Sequence, residues 1–288
     1  MNVQSIPKIT PKQTEILDLI YTHRFLTRIQ IQSFLKHKDK KTINLWLKDL
    51  RQKEYIHWIY NNHHFAEKTK PAIYYMGING IRHLHNMGFH EDKEINKRYR
   101  EHKRSQGFID RSLAIADVCI TLDAARTVDN VGTYLEPGIS YFYETEADYK
   151  SESYYHFLSD NELIRPNLCF HKAIHEGHEE SKVVNSYLLE IFDSTLPRYR
   201  LRNRLKKYVE YLDEEMDEWE EQTYGDPQPT ISLICATLTD LIYAKRRTRG
   251  LMADIWEYED EDRPRISFTT IQKLKESGVI AEEIWEEV

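Results

Sequence analysis

The sequence predicts an α+β fold in two domains: three helices and a β-hairpin over residues 1–98, and a mixed α/β domain over residues 99–288. Short capped helical segments and two runs of aromatic and β-branched residues predict the first domain, and longer helices alternating with apolar runs predict the second. The charge divides near the same place. Residues 1–105 hold 20 Lys and Arg against 10 Asp and Glu, a net charge of +10, and residues 106–288 carry −17.

Capping residues predict the first two helices. Thr10 and Gln13 form a capping box, in which each side chain bonds the backbone of the other residue, and Pro11 suits the first helical position. Thr27 and Gln30 repeat the box ahead of a second apolar run. We therefore expect two short helices in succession.

A third helix is predicted after the charged turn at residues 37–40. Its apolar face carries Ile43, Trp46, Leu47 and Leu50 at helical spacing. Its other side carries polar residues that can face a groove of DNA together, because Asn pairs with adenine edges and Lys or Arg with guanine or phosphate. The candidate DNA contacts there are Lys40, Lys41, Thr42, Asn44, Lys48 and Arg51. Base contact by Asn44 and an ordinary solvated helix face both remain open.

Two strand-like runs, Tyr55–Tyr60 and Ala72–Met76, follow the third helix and predict a β-hairpin. A hairpin in this position is a wing, so the first domain is predicted to be a winged helix-turn-helix. Its tip supplies further candidate DNA contacts, which are His63, His64, Lys68 and Lys70. Such a module can also bind protein alone, but the local charge of +10 favours duplex DNA as the partner.

Several classes of protein are disfavoured by composition and motif. No apolar stretch approaches the roughly 20 residues needed to span a bilayer, and residues 1–10 lack the apolar core of a signal peptide, so we expect a cytoplasmic protein without a membrane partner. Cys119, Cys169 and Cys235 lie far apart, which favours reduced core residues over a disulfide or zinc framework. The absence of a Walker-type phosphate loop disfavours an ATP-driven motor.

The second domain is predicted from a succession of segments. Residues 91–107 are dense in charge and are expected to form a hinge or the exposed start of a long helix, which becomes apolar from Phe108 onward. Strands are expected at Gly132–Pro137, Ile164–Phe170, Ser186–Phe192 and Thr230–Ala236, an amphipathic basic helix at Arg198–Glu215, and a last strand and helix at Ser267–Gly278. This order predicts a mixed α/β arrangement.

Basic side chains stand out in this acidic domain. They are Arg202 and Lys206 in the basic helix and Lys245, Arg246, Arg247 and Arg249 after the strand at 230–236. They could extend the DNA contact through phosphates, or they could pair with the acidic runs at residues 213–221 and 257–262. The sequence leaves both readings open.

Particular segments resemble the replication-relaxation family of plasmid and mobile-element proteins. They are the capped three-helix wing module, the helix at residues 102–123, Leu135-Glu136-Pro137, Arg165-Pro166-Asn167, the stretch Tyr187–Thr195, and the basic helix ending in Lys207-Tyr208. The resemblance covers most of the chain. It implies a protein supporting replication or relaxation of mobile DNA, with a winged helix joined to a domain like those of restriction endonucleases.

The resemblance also raises the question of catalysis. In nucleases of the related fold, an Asp after Pro and a Glu-x-Lys on the next strand hold magnesium and activate water. The matching positions here are Asn167, Glu190 and Phe192, which lack one carboxylate and the ammonium group. Asp193 could add a carboxylate only if the strand ends before it, since otherwise it points to the opposite face from Glu190. We therefore expect a catalytically degenerate relative.

A second candidate metal site is the run His171, His175 and His178, whose spacing would suit zinc on a helix. Gly177 and the lack of a helical apolar face favour a polar loop instead.

The predicted function is therefore binding of double-stranded DNA in support of a plasmid or other mobile element, without a cofactor, and with replication proteins or a second copy of the chain as possible partners. One alternative is a metal-dependent nicking nuclease, which would use Mg²⁺ at Glu190 with Asn167 or Asp193. The other is a transcription regulator of a mobile element.

Overall fold

The structure is a computed structural model that describes residues 6–60, 69–88, 90, 92–125, 138–148, 164, 166–175, 182–214, 227–256 and 264–288. The fold is α+β. The chain divides into two compact units, residues 1–120 (unit 1) and residues 121–288 (unit 2). No helix within the described ranges combines the length and the apolar character needed to cross a bilayer.

Unit 1 combines helices with a small three-stranded sheet. Its helices are α1 (Pro11–His23), α2 (Arg28–Phe34), α3 (Lys40–Gln52), α4 (Ile78–Met87), α5 (Asp92–Asn96), a 3-10 segment (Lys97–Lys103) and α6 (Gln106–Ala124), which continues into unit 2. Its strands are β1 (Leu26–Thr27), β2 (Ile56–Ile59) and β3 (Ile73–Met76), in the antiparallel order β1-β3-β2. Both predicted capping boxes are confirmed, with Thr10 and Thr27 as the N-cap residues. Strand β1 was not predicted.

The core of unit 1 follows the apolar spacing. Ile43, Leu47 and Leu50 of α3 are fully buried, as the helical pattern predicts. Trp46 is only half-buried, and its ring meets the ring of His37 edge-on with centroids 5.2 Å apart. The apolar face of α3 is therefore one residue narrower than predicted.

Most described charged residues of the segment 91–107 are exposed, as expected, but Glu94, Arg98 and Glu101 are buried. Arg98 and Glu101 are each only 1% exposed. Arg24 donates from Nε and Nη2 to Oε1 of Glu101, at 2.9 and 2.6 Å, and Arg98 donates from Nε to the carbonyl oxygen of Tyr21 at 3.1 Å. The burial of Arg98 and Glu101 was not predicted, because their hydrogen-bond partners lie 77 residues earlier in the chain, where local composition carries no sign of them.

Unit 1 extends beyond the predicted boundary after residue 98. The side chain of Gln30 in α2 donates from Nε2 to the carbonyl oxygen of Leu113 at 2.9 Å and to Oδ1 of Asp117 at 2.7 Å. These bonds attach the first part of α6 to α2, so the structure divides after Ile120.

Unit 2 is built on a six-stranded sheet. Its strands are β4 (Gly138–Thr145), β5 (Leu168–His175), β6 (Lys182–Phe192), β7 (Thr230–Cys235), β8 (Ile266–Thr270) and β9 (Glu286–Glu287), in that order across the sheet. The pairs β6–β7 and β7–β8 are parallel and the others antiparallel. Helices α7 (Arg198–Glu214), α8 (Leu238–Ala253) and α9 (Ile271–Ser277) and 3-10 turns at Glu146–Asp148 and Glu282–Ile284 complete the described unit.

The main core of unit 2 lies between α7, α8 and one face of the sheet. Leu201, Leu205 and Tyr208 of α7 pack there with Leu233 and Phe268. The predicted basic helix is confirmed almost to the residue. Free Cys169 and Cys235 are buried, as expected, and burial raises the pKa of the Cys235 thiol to about 12.

Two predicted strands have other bounds in the structure, and one of them, expected at Ser186–Phe192, already begins at Lys182. The strand expected at Ile164–Phe170 runs from Leu168 to His175, because Pro166 has no N–H to donate to a sheet. The strand expected at residues 132–137 lies outside the described residues, and β4 begins immediately after them at Gly138.

Candidate nucleic-acid interface and nuclease-like position

The exposed face of α3 carries the predicted groove contacts. Lys41, Asn44 and Lys48 are exposed and follow one another at i, i+3 and i+7, which places them on one stripe of the helix. Leu45 lies beside them and is 65% exposed. Sequence reasoning missed Leu45, although an apolar side chain at this position can contact a thymine methyl group.

The start of α3 is held by Asp39. Its carboxylate accepts hydrogen bonds from the backbone N–H groups of Lys41 and Thr42, at 2.9 and 3.0 Å, and from Oγ1 of Thr42 at 2.6 Å. The bond from the Thr42 side chain, followed by the two backbone bonds, lowers the pKa of Asp39. Asp39 therefore caps the helix, and the Thr42 side chain is committed to this cap, while Lys40 is exposed at the first position of the helix.

Arg51, at the end of α3, lies over an aromatic ring of the strand pair. Its guanidinium carbon is 3.5 Å from the centroid of the Trp58 ring in β2. Trp58 and Tyr60 are each 41% exposed, with ring centroids 5.5 Å apart. Guanidinium stacking on an aromatic face orients the cation. The stack fixes the Arg51 charge where α3 meets β2.

A second arginine lies near the same aromatic group. Tyr74 of β3 pairs in register with Trp58, and burial raises the pKa of its hydroxyl, while the charges of Arg51 and Arg28 act in the opposite direction. Arg28 also donates from Nη1 to Oε1 of Gln32 at 2.6 Å. Arg28 was not a predicted contact, since only the pairing of β1 with β3 reveals how close it lies to Tyr74.

Of the predicted wing residues, the structure describes Lys70. Lys70 is exposed three residues before β3. His63, His64 and Lys68 lie outside the described residues.

In unit 2, the nuclease-like positions Asn167 and Glu190 lie on neighbouring strands. Leu168 pairs with Leu189, so Asn167 is opposite Glu190 at the next position. The backbone N–H of Asn167 donates to the carbonyl oxygen of Leu189 at 2.8 Å, and Oδ1 of Asn167 accepts from the N–H of Ile191 at 2.9 Å. Asn167 thus uses its side-chain oxygen to extend the sheet.

Glu190 is paired with a cation from α7. Its side chain is 1% exposed and forms an ion pair with Nη1 of Arg204, whose side chain is 47% exposed. Phe192, two residues later, belongs to the apolar core. A buried carboxylate needs a compensating charge, and here the guanidinium supplies it.

Asp193 lies just after the end of β6 and accepts from the backbone N–H of Thr195 at 2.9 Å and from the Thr195 hydroxyl. Oε1 of Glu190 is paired with Arg204 and Oδ1 of Asn167 accepts from the backbone of Ile191, and an amide brings no negative charge to a magnesium ion, so these two residues are a poor set of ligands for the metal. Within the described residues, no group of three His, Cys, Asp or Glu side chains is arranged to hold a metal ion.

The histidine run is not a loop at its start. His171 lies within β5, is 8% exposed, and its Nδ1 is 2.9 Å from Oγ of Ser186, its partner in register on β6. His175 ends β5, and His178 lies outside the described residues. The loop prediction is wrong for residues 171–175, because pairing with β6 satisfies the backbone of a polar segment.

Comparison with known proteins gives one family match and one similar structure. A sequence model of the family described as replication-relaxation matches residues 17–224, more than two thirds of the chain. No curated protein matches. The restriction endonuclease FokI is similar at 12% sequence identity and a TM-score of 0.30. That alignment covers 95% of this chain and 45% of the FokI chain, so this chain spans less than half of that protein's length.

Proposed function

This chain belongs to the replication-relaxation family, and from that membership we propose that it binds duplex DNA through unit 1 in support of the replication or relaxation of a plasmid or other mobile element. Unit 1 is then a winged helix-turn-helix in which α3 enters the major groove and the β2–β3 pair is the wing. A net charge of +10 over residues 1–105 supports a polyanionic ligand.

The observation that carries this proposal is the exposed stripe of α3 beside the Arg51–Trp58 stack. Lys41, Asn44 and Lys48 offer one amide and two ammonium groups along about two turns of helix, and Arg51 adds an oriented guanidinium at its end. An amide that can read adenine between cations that neutralise phosphates is the combination that duplex recognition uses.

Removing two of these cations tests the proposal. We expect Lys41→Ala combined with Arg51→Ala to weaken duplex binding and to lower the slope of log affinity against log salt concentration by about 2, because two phosphate contacts are lost. The measurement is a gel shift at several salt concentrations, using duplexes selected from a random pool by the parent protein.

The matched control removes the same charge from exposed lysines outside α3. Lys12→Ala combined with Lys93→Ala should bind with the affinity and slope of the parent. An unchanged slope and affinity in the Lys41 and Arg51 variant would exclude α3 from the contact surface.

For unit 2 we propose a restriction-endonuclease-like domain that no longer cleaves. This proposal is supported by the contacts of both candidate ligands. Glu190 forms an ion pair with Arg204, and the side chain of Asn167 accepts a hydrogen bond from the backbone N–H of Ile191. The unit would then position DNA or recruit other replication proteins instead of hydrolysing the phosphodiester bond.

A plasmid assay tests this second proposal. Supercoiled plasmid incubated with the parent protein and Mg²⁺ or Mn²⁺ is expected to remain supercoiled. A metal-dependent nuclease serves as the positive control and should nick the same plasmid in the same buffer. Nicking by the parent that disappears in Glu190→Ala would show that Glu190 is catalytic and would contradict the proposal.

A further inference from the structure

Helices α7 and α8 of unit 2 form a basic surface in the acidic part of the chain. Both follow parallel strands of the sheet and pack on the same core. Their basic residues are Arg198, Arg200, Arg202, Arg204, Lys206 and Lys207 on α7 and Lys245, Arg246, Arg247 and Arg249 on α8. Since residues 106–288 carry a net charge of −17, this concentration of positive charge needs a physical explanation.

One contact between α7 and α8 identifies the sides on which the two helices face each other. The guanidinium carbon of Arg198 is 5.1 Å from the centroid of the Tyr243 ring, so these residues mark the facing sides of α7 and α8. Arg202 and Lys206 follow Arg198 at i+4 and i+8, and Arg247 follows Tyr243 at i+4. Residues four apart share a helix face. Cations from both helices therefore line the groove between α7 and α8.

Few carboxylates neutralise this groove. Among the described residues, Lys206 pairs with Glu210 at 2.8 Å, whereas Arg198, Arg202 and Arg247 have no carboxylate within 4.0 Å. In addition, Nε of Arg247 is buried and has no hydrogen-bond partner in the described part of the chain. Like charges that converge at the surface repel, and a buried donor without a partner costs free energy. An anion in the groove would relieve both effects.

We propose that the groove between α7 and α8 binds the phosphodiester backbone of DNA and forms a second contact surface in addition to α3. The choice of DNA as the ligand rests on the proposed function. The groove itself shares no residue with α3, the helix on which that function is proposed. Arg198, Arg202 and Lys206 repeat about every 6 Å along α7. A repeated row of cations matches a linear polyanion, and guanidinium groups bind phosphate oxygens in a bidentate manner.

The test compares the full chain with Arg202→Gln combined with Arg247→Gln. The probe is a fluorescein-labelled duplex of random sequence, and the measurement is fluorescence anisotropy between about 50 and 200 mM salt. Two lost phosphate contacts should reduce the log–log salt slope by about 2 and weaken binding roughly 50- to 100-fold at about 0.1 M salt, if the affinities at 1 M salt are equal.

Two controls separate the groove from net charge and from folding. Lys172→Gln combined with Lys275→Gln removes the same charge elsewhere in unit 2 and should keep the parent slope. Arg202→Lys combined with Arg247→Lys retains the charge and should keep most of the slope. The midpoint of thermal unfolding of the glutamine variant should equal or exceed that of the parent, because repulsion between the two arginines is removed.

The outcomes distinguish the two proposals. If the glutamine variant binds duplex as the parent does while the Lys41 and Arg51 variant is weakened, the groove proposal is overturned and the proposed function stands. If only the glutamine variant is weakened, the groove binds DNA and α3 does not. Unchanged DNA affinity together with weaker binding of poly-glutamate would assign the groove to an acidic protein and overturn its assignment to nucleic acid.

Discussion

Replacing Arg24 by methionine is expected to destabilise unit 1 by about 3–5 kcal/mol, the range typical of a buried ion pair that loses one partner. The side chains of Arg24 and Glu101 are 9% and 0% exposed, and their closest contact is 2.6 Å. Methionine keeps much of the aliphatic length of arginine, but it lacks the guanidinium group, whose carbon lies 4.7 Å from the centroid of the Phe108 ring, and it leaves the Glu101 carboxylate buried without its main cation. Arginine and methionine bear the same backbone cost at φ 67°, so the loss of stability does not come from the backbone at position 24.

Arg104 provides the matched control, because it contacts the same carboxylate from a more exposed position. Its Nε lies 3.5 Å from Oε2 of Glu101, and its side chain is 36% exposed. We expect Arg104→Met to cost less than about 1 kcal/mol. Replacing both members of the buried pair, with Arg24→Met and Glu101→Leu, should recover much of the lost stability.

The measurement is hydrogen exchange of peptides from unit 1 in increasing urea, since a chain of two units does not unfold as a single two-state system. Equal losses in the Arg24 and Arg104 variants would contradict the assignment of the Arg24–Glu101 pair as the main stabilising contact of this segment.

Adding a methyl group at Gly77 is the second change with a large expected effect, of about 2–4 kcal/mol. A Cβ atom there would lie 2.5 Å from the carbonyl oxygen of Glu54, 3.0 Å from the carbonyl carbon of Tyr55 and 3.1 Å from the nitrogen of Ile56. All three are backbone atoms of the turn between α3 and β2, so no side chain can rotate away. Gly77→Ala should therefore force β3 and α4 away from this turn.

Gly250, in α8, is the control for the same substitution. No heavy atom of the described residues lies within 4 Å of a Cβ built there. Gly250→Ala should stabilise the helix by about 0.5–1 kcal/mol, because glycine loses more backbone entropy on folding than alanine does. Hydrogen exchange in increasing urea measures the contrast, with peptides of unit 1 followed for Gly77→Ala and peptides of unit 2 for Gly250→Ala. A Gly77→Ala variant as stable as the parent would contradict the close approach.

Local signals accounted for much of unit 1 and for the basic helix of unit 2. The two capping boxes need only residues three apart, and the buried faces of α3 and α7 need only helical spacing, so a sequence contains all the information that forms them. The strand pair β2–β3 was predictable for the same reason, because aromatic and β-branched runs mark strands.

Long-range pairing limited the prediction of the candidate sites. Asn167 and Glu190 could be recognised as the nuclease-like positions, but the partner that neutralises Glu190 comes from a different helix. Arg51 could be placed on α3, whereas its stack on Trp58 depends on how the strand pair packs.

Neighbouring residues in the sequence define where helices begin, which helix faces are apolar and how charge divides along the chain. The burial of individual charges and their pairing depend on the tertiary fold. Arg98 and Glu101 belong to a charged segment, yet they are buried, because their hydrogen-bond partners come from residues 77 positions earlier in the chain. The free energy of a charge depends on its desolvation and on its nearest counter-charge, and both are set by folding.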